Sequence, residues 1–423
     1  MPSSRPAALH AAPSAPSAPE PGTLANTMPA ALVVLILSLL LGIQPVTTDL
    51  YLPALPSLTE GFGATVSQAQ LTLTVLLLAF GTSQLVWGPL SDRFGRRPIL
   101  LLGLGAYTLA SIACALSPSM FMLIVGRLVQ GAAMGAAVMG ARAIVRDLYT
   151  PETGARMMSK GLTGLGIIAC TCAPMGGLLS DLLGWRYTLA ATGVFGAVAF
   201  TIVALRFKET VPRKNPLALQ PRTLVSTWLT ILRHPTFLAW SALSTASYAG
   251  LFTFLASSSF IFIQVLDFTR TQYGLAMFSM AFIYILGTFW CRWLLPRRGV
   301  KRSVAIAAGL TLIGGTTMGA LALAGFHNTW AILVPFYLFM FAHGVHQPCG
   351  QSGAVAPFPQ AAGAASALNG FQMMVAAFIV GGWMGGRLDG TVFPLANGVW
   401  FWSVCIAAVS WTLVQRYGDP RHA

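Results

Sequence analysis

An acidic residue, Asp49, stands near the end of the first long apolar stretch, in the segment TTDLYLPALP at residues 47–56. An ionised carboxylate in a membrane helix costs roughly 2.5–3.5 kcal/mol on insertion scales, so such groups mostly face a cavity and take part in function. Partial loss of water favours the protonated form, and Asp49 could therefore exchange protons at physiological pH. The alternative is a solvated or hydrogen-bonded acid near a helix end.

A basic residue, Arg127, lies inside another apolar stretch. A guanidinium stays charged at every relevant pH, so burying it requires a partner or water. Arg127 could stabilise the deprotonated state of an acid and make proton release sensitive to what occupies a cavity. The alternative is an arginine anchored near the outer headgroups of a membrane.

A short charged segment, GPLSDRFGRRP at residues 88–98, separates apolar runs at 71–87 and 99–116. Asp92 and Arg96 are four residues apart, which lets them pair if the turn is helical. The segment predicts a tight turn at a bilayer surface, and its three arginines against one aspartate place it in the cytoplasm. The alternative is that these charges only fix the topology.

Two histidines, His343 and His346, share one face of a predicted helix. They could form a proton relay or a metal pair, but polar groups hydrogen-bonded within a bundle are the favoured interpretation, and we assign no metal. The segment 350–360 that follows contains no charge. The sequence has no HExxH, GxSxG or GxxxxGK[ST] motif, which argues against an enzyme and against ATP-driven transport.

The composition predicts an all-α membrane protein that must position these residues. Of 423 residues, 55% are hydrophobic and 9% are charged, against about 25% charge in soluble domains. At about 20 residues per span, the apolar content accommodates roughly twelve helices. The expected spans are 29–56, 68–89, 98–116, 120–144, 158–180 and 186–206, then 236–264, 272–293, 303–324, 328–350, 361–386 and 392–415.

The distribution of basic residues predicts the orientation of these spans. The net charge is +14, and the bases lie between the apolar stretches, so we exclude nucleic acid as a partner. Of the 25 Lys and Arg residues, Arg127 falls inside a helix and only Arg186, Arg270 and Arg387 fall outside; the remainder, Arg142 among them, are assigned to the cytoplasm. Both termini are therefore expected in the cytoplasm.

Composition and internal repetition predict the domain organisation. Residues 1–27 and 416–423 are expected to be cytoplasmic tails, the first of them disordered, and residues 207–235 a cytoplasmic linker between six-helix halves at 28–206 and 236–415. The segment GRR at 95–97 is echoed by GVKR at 299–302, and Gly176-Gly177 by Gly381-Gly382, at offsets of 204 and 205 residues. These echoes favour two parallel repeats.

The turn at 88–98 also carries a family resemblance. It resembles the signature between the second and third helices of the major facilitator superfamily of secondary transporters. The matching residues are Gly88, Leu90, Asp92, Arg93, Gly95, Arg96 and Arg97. The resemblance implies twelve transmembrane helices in two pseudo-symmetric six-helix halves. It also implies that this turn is a cytoplasmic gate, whose acid docks near the start of the eleventh helix, expected near Gln360, in the outward-open state.

A second resemblance concerns a subfamily. The segment TDLYLPALP at 48–56 resembles the first-helix signature of the bicyclomycin/chloramphenicol-resistance (Bcr/CflA) drug:proton antiporters, and RDLY at 146–149 and KET at 208–210 are similar to that subfamily too. The resemblance implies that Asp49 belongs to the proton and substrate site. The segment RLVQGAAMG at 127–135 resembles the fourth-helix signature, with Gly131 and Gly135 at a spacing that permits close helix contact.

The segment APMGG at 173–177 resembles the fifth-helix antiporter signature, with one residue instead of two between Pro174 and the pair Gly176-Gly177. These residues are expected to give a flexible, closely packed helix.

The sequence thus predicts proton-coupled efflux of small hydrophobic drugs or toxic metabolites by alternating access, in a monomer of the bacterial inner membrane. Protons are the coupling ion, and no other cofactor is expected. The alternatives are a carrier for a specific metabolite and, far less favoured, a membrane enzyme or sensor.

Overall fold

The computed structural model describes residues 28–211, 214 and 218–419, and within these ranges it contains helices and no β-strand. The predicted disorder of residues 1–27 lies outside the described residues, as do parts of the linker and the last four residues. The helices are α1 (Ala30–Thr48), α2 (Leu55–Phe62), α3 (Val66–Phe94), α4 (Arg96–Ala115), α5 (Met120–Leu148), α6 (Pro151–Leu182), α7 (Trp185–Arg206), α8 (Pro221–Arg233), α9 (Pro235–Phe260), α10 (Arg270–Leu323), α11 (Thr329–Val355), α12 (Ala362–Gly385), α13 (Phe393–Trp411) and α14 (Leu413–Tyr417).

The described part of the chain contains eleven helical stretches long and apolar enough to cross a membrane. One of them, α10, has 54 residues and contains Gly299 at φ 71° and ψ 168°, a non-helical conformation where two helices join. Since each part of α10 is long enough for a span, the bundle has twelve spans. The predicted all-α fold is confirmed, and the expected loop after 293 is reduced to this kink.

The predicted turn at 88–98 is shorter than expected. Helix α3 continues through Pro89 to Phe94, and α4 begins at Arg96. Only Gly95, with φ 109° and ψ 158°, separates the two helices. This backbone conformation is essentially restricted to glycine, so one residue is enough to reverse the chain.

The expected polar linker at 207–235 contains a helix, α8, with Pro221 at its first position, where the missing N–H costs nothing. Its apolar side chains recur at helical spacing, and Ile231 is buried. A pattern of this kind stabilises a helix that lies along an apolar surface. The uncharged segment 350–360 is also partly helical, because α11 extends to Val355.

The two halves repeat the same local geometry before their second spans. Thr65 and Gln68 form a reciprocal capping box at the start of α3, and Thr269 and Gln272 form the same box at the start of α10, 204 residues later. Just before each box the backbone turns through a positive φ, 58° at Gly63 and 54° at Asp267. The same offset relates the glycines at 95 and 299, so the repeat seen in the sequence extends to the backbone.

The halves meet closely at the end of the bundle opposite Gly95, which we call the sealed end. There the Asp181 carboxylate on α6 accepts hydrogen bonds from the Thr271 backbone N–H at 2.9 Å and from its hydroxyl at 2.6 Å. Arg270 lies 3.4 Å from the same carboxylate. The Gln70 amide donates to the Ala256 carbonyl nearby. We call the opposite end, which carries the Gly95 and Gly299 turns, the basic end.

Candidate functional site

A central cavity of about 370 Å³ lies between the two halves. Four helices of the first half (α1, α3, α5 and α6) and four of the second (α9, α10, α11 and α12) contribute to its wall. Leu, Phe and Met are the commonest apolar side chains in the wall. The polar residues in it are Gln44, Thr48, Asp49, Gln84, Arg142, Tyr248, Tyr284, His343, Gln347, Gln351, Ser366 and Asn369. A mostly apolar pocket with a few polar groups is typical of a small-molecule site.

The cavity is closed at the sealed end and open towards the basic end. Residues 50–56, which follow Asp49, are all buried. At the other end of the wall Arg142 and Ser366 are half-buried, and Gln351 is exposed. A compound in the cavity would therefore exchange with the solvent at the basic end.

Asp49 stands in the cavity wall where α1 ends. Its backbone N–H donates to the Pro45 carbonyl at 2.8 Å, and its side-chain oxygen accepts a hydrogen bond from the Thr48 hydroxyl at 2.8 Å. The side chain is half-buried, and no described Lys, Arg or His lies within 4.0 Å of it. Asp49 is thus a carboxylate in contact with the cavity and without a basic partner in the described part of the chain.

Arg127 is fully buried and lies outside the cavity wall. Its guanidinium donates to the Thr47 carbonyl at 3.1 Å, to the Gln130 side chain at 2.7 Å and to the Thr72 carbonyl at 3.4 Å. It also stacks 4.3 Å above the Tyr51 ring, a favourable place for a cation. The structure does not bring Arg127 into an ion pair with Asp49: the guanidinium contacts the α1 backbone two residues earlier.

A polar network extends from Arg127 through the first half. The Gln130 side chain donates to the Ser111 hydroxyl at 2.7 Å and to the Thr192 hydroxyl at 3.2 Å. The Thr47 hydroxyl and the Tyr107 hydroxyl are 2.7 Å apart. Helices α1, α4, α5 and α7 are joined in this way. Sequence reasoning did not predict the parts that Tyr107, Ser111 and Thr192 play in this network, because single Ser, Thr and Tyr residues in apolar helices carry no distinctive spacing.

The glycines of α5 allow that helix to lie close against α3. A side chain at Gly131 would overlap the Leu76 backbone carbonyl, and one at Gly135 would overlap the Ser83 hydroxyl. Backbone atoms cannot move aside as a flexible side chain can. The structure therefore places both residues at a tight helix contact within the first half.

The glycine pair of α6 serves two different contacts. A side chain at Gly176 would overlap the Leu50 carbonyl, next to Asp49, whereas one at Gly177 would overlap the Arg270 carbonyl of the second half. Pro174 lies inside α6 without interrupting it, and its backbone borders Gly274 of α10. This segment is thus a contact between the halves near the sealed end.

The basic turn forms an ion-pair network in which three sequence motifs meet. Asp92 pairs with Arg96 at 2.6 Å, and Arg96 pairs with Asp147 at 2.7 Å. The Glu209 carboxylate accepts the backbone N–H groups of Arg96 at 2.9 Å and Arg97 at 3.1 Å. It thus caps the start of α4, where anions are stabilised.

The remaining residues of this turn are placed at its surface or within α3. Asp92 also lies 3.5 Å from Arg146, so in this structure the acid pairs within the first half and not with the start of α12. Arg93 stacks 5.5 Å from the Phe94 ring. Gly88 lies inside α3, where a side chain would make an ordinary contact with Met139.

The two histidines have different surroundings. His343 lines the cavity, and its Nδ1 atom lies 2.8 Å from the Ser247 hydroxyl. His346 is fully buried and does not reach the cavity. In the part of the chain that the structure describes, no group of three or more His, Cys, Asp or Glu side chains could hold a metal ion.

Arg142 is a cavity residue that sequence reasoning did not identify. It was counted among the bases of the cytoplasmic side, near the predicted end of its span, but it lies on α5 in the cavity wall, and its guanidinium donates to the Ser366 hydroxyl of α12 at 2.9 Å. The helix continues to Leu148, and six residues of α-helix correspond to about 9 Å. The predicted end of this span at 144 placed Arg142 too near the surface.

The structure has two repeated six-helix halves around a central cavity, and its buried charges are concentrated in one half. This architecture is that of a secondary transporter built from parallel repeats. The chain matches the Major Facilitator Superfamily over residues 37–381 and belongs to that family. The protein is therefore a membrane transporter and not an enzyme, and the superfamily resemblance of the sequence is confirmed.

Individual relatives agree with this assignment. The chain is similar to multidrug resistance protein D of Escherichia coli (29% identity over 345 residues, 80% of this chain and 84% of the relative). It is also similar to a bicyclomycin resistance protein homolog of Haemophilus influenzae (25% identity, 86% and 91% of the two chains). The fold matches the xylose transporter XylE of E. coli with a TM-score of 0.69 at 13% identity, covering 92% of this chain and 97% of that one.

Proposed function

We propose that the protein exports small, largely hydrophobic compounds, drugs among them, in exchange for protons. The observation that carries the proposal is Asp49, the one carboxylate among the described residues of the cavity wall. A carboxylate that faces a mostly apolar cavity without a basic partner can take up and release a proton, because no neighbouring cation holds it in the charged form. The drug-resistance names of the two relatives support the choice of cargo.

The proposed cycle is a competition between proton and substrate. A compound enters from the basic end, and the proton on Asp49 leaves as the compound occupies the cavity. The halves then rock, the sealed end opens, the compound leaves and a proton binds Asp49. Coupling follows because the proton and the compound favour opposite states of one carboxylate.

The basic end is assigned to the cytoplasm of a bacterial inner membrane, with both termini on that side. The support is the concentration of Lys and Arg at this end, as the positive-inside rule requires. The cavity lies within one chain, so we further propose a functional monomer. Relatives named for bacterial drug resistance support the inner membrane as the location.

The test is proton flux in inverted membrane vesicles that contain the wild type, Asp49→Asn or the matched control Asp389→Asn. Asp389 lies in an exposed turn between α12 and α13, so the control makes the same chemical change away from the cavity. Bicyclomycin and chloramphenicol are added, and a pH-sensitive dye reports proton release. We expect release by the wild type and the control and none by Asp49→Asn.

Other outcomes have definite meanings for the proposal. Equal release by all three proteins would move the proton site away from Asp49. A wild type that responds to neither compound, although it is present and folded, would favour a carrier for a specific metabolite over a drug exporter.

A further inference from the structure

Arg142 presents a cation to the central cavity. Its only hydrogen bond to a described residue is the one to the Ser366 hydroxyl at 2.9 Å. A guanidinium has five N–H donors in a planar fork, so most of its donors have no partner among the described residues. Because Arg142 lines the cavity, those donors are available to a compound bound there.

The charge of Arg142 is also not balanced nearby. No described carboxylate lies within 4.0 Å of it, and Asp147, five residues further along α5, already pairs with Arg96. A charge within a membrane span is costly unless it is paired or solvated. An anionic ligand would supply the missing partner.

A comparison with Arg127 shows that this openness is particular to Arg142. Arg127 is surrounded by two carbonyl groups, the Gln130 side chain and the Tyr51 ring. It lies outside the cavity wall. Of these two arginines of α5, Arg127 is therefore saturated by the protein, and Arg142 is open to the cavity.

The wall beside Arg142 suits the apolar part of a ligand. Phe80 and Leu77 of α3 and Met373 and Met374 of α12 line the cavity. Methionine side chains adapt to different shapes and make favourable contacts with aromatic rings. The cavity thus combines an adaptable apolar surface with a single arginine at the basic end.

We propose that Arg142 binds a carboxylate, or a comparable acceptor group, on the exported compound, and that the apolar wall holds the remainder of the molecule. This inference rests on the proposed export function and narrows its substrate class. The arginine fork matches a carboxylate with two parallel hydrogen bonds. Asp49 stands at the other end of the cavity, where it would not oppose the anion directly.

Binding of such a group would also involve the contact between the halves. Ser366 belongs to α12, in the second half, and its hydroxyl uses the same guanidinium. Because the guanidinium has further N–H donors, a carboxylate can bind it while this hydrogen bond remains. The substrate would then be held at a contact between α5 and α12.

The experiment compares two ligands of equal shape, naphthalene-2-carboxylate and naphthalene-2-carboxamide, at neutral pH. Equilibrium dialysis measures their binding to the purified full-length wild type, Arg142→Gln, Ser366→Ala and the control Arg222→Gln. Arg222 is exposed on α8 at the basic end. We expect the wild type and the control to prefer the carboxylate. Arg142→Gln should bind it about 10- to 100-fold more weakly, the change expected for a lost charge-assisted hydrogen bond, while amide binding stays the same.

Ser366→Ala removes the hydroxyl that shares the guanidinium and keeps the arginine, so we expect carboxylate binding at least as tight as in the wild type. The inference would be overturned if the wild type bound both ligands equally or bound neither of them. It would also be overturned if Arg142→Gln still preferred the carboxylate. If Arg142→Gln does not fold, Arg142→Lys is measured instead. Weaker binding of the carboxylate by Arg142→Lys than by the wild type supports the inference, and unchanged binding overturns it.

The vesicle assay separates this inference from the proposed function. Drug-driven proton release without a carboxylate preference would leave the export function in place and remove the role of Arg142. A carboxylate preference that disappears in Arg142→Gln, without any drug-driven proton release, would keep the binding site and reject the proposed drug export.

Discussion

The two halves of this transporter share one backbone plan but differ in what they bury. Both begin their second span with the same capping box, and both turn at a glycine before their third. Among the described residues, the buried Lys, Arg, Asp and Glu side chains are Arg96 and Arg127, and both belong to the first half. The second half therefore shows that this six-helix plan folds without a buried charge.

Counting from the first residue of each helix makes the difference specific. Phe336 and Phe339 are residues 8 and 11 of α11, the places that Arg127 and Gln130 take in α5. The second half fills its interior with aromatic rings: the Phe336 ring lies 3.9 Å from that of Phe254 and 5.1 Å from that of Phe339. A buried charge is expensive in a membrane span, so the first half needs the hydrogen bonds around Arg127, whereas the second half packs aromatic rings instead.

The largest expected effect is that of Arg127→Met. Removing the guanidinium leaves the carbonyls of Thr47 and Thr72 and the Gln130 side chain without their donor. We expect the protein to lose about 2–4 kcal/mol of stability, since each unsatisfied buried group costs about 1–3 kcal/mol. The melting temperature in detergent, followed by tryptophan fluorescence, measures the loss.

The control for this variant is Arg387→Met, which changes an exposed arginine and should leave the melting temperature nearly unchanged. If Arg127→Met were as stable as the wild type, the polar network would not hold the first half together, and the comparison between the halves would lose its energetic basis.

A smaller difference is expected between the two turn glycines. Gly95 and Gly299 both adopt conformations restricted to glycine, so Ala at either position costs about 1–3 kcal/mol. A side chain at Gly95 would also come within 2.5 Å of the Glu209 carboxylate, whereas nothing lies within 4 Å at Gly299. Gly95→Ala should therefore be the more destabilising variant in a thermal melt. Equal melting temperatures would show that the Glu209 cap adds nothing.

The smallest expected effect is that of His343→Asn on proton release in vesicles. His343 lines the cavity and contacts the Ser247 hydroxyl through Nδ1, and an asparagine amide can occupy much the same position. We expect drug-driven proton release to change less than about twofold, because one neutral hydrogen bond contributes only about 0.5–1.5 kcal/mol. A loss as large as that of Asp49→Asn would place part of the proton path in the second half.

The spans and the pairing of Asp92 with Arg96 could be predicted because they depend on local rules. Apolar run length determines a span, and a spacing of four residues determines which side chains meet on a helix. The short turn at Gly95 was harder to predict, because a single glycine stands where the sequence suggested a loop. The helical conformation on both sides of Gly95 is visible only in three dimensions.

The position of Arg142 could not be predicted for a related reason. Whether a base near a helix end faces the cavity, lipid or water depends on where the helix ends and on how it is rotated. An error of four residues in the end of α5 moves a side chain by about 6 Å along the axis. The partners of Arg127 on other helices were equally hidden, because they are backbone carbonyls of α1 and α3.

The contact between Asp181 and Thr271 has a consequence for the resting state of the transporter. The first amides of α10 have no partner within that helix, and the carboxylate that accepts one of them comes from the other half. When the sealed end opens, this amide and this carboxylate return to water. The balance between the inward-open and outward-open states therefore depends in part on Asp181, an acid outside the cavity wall. A change at this position is expected to alter the transport rate without altering which compounds are recognised.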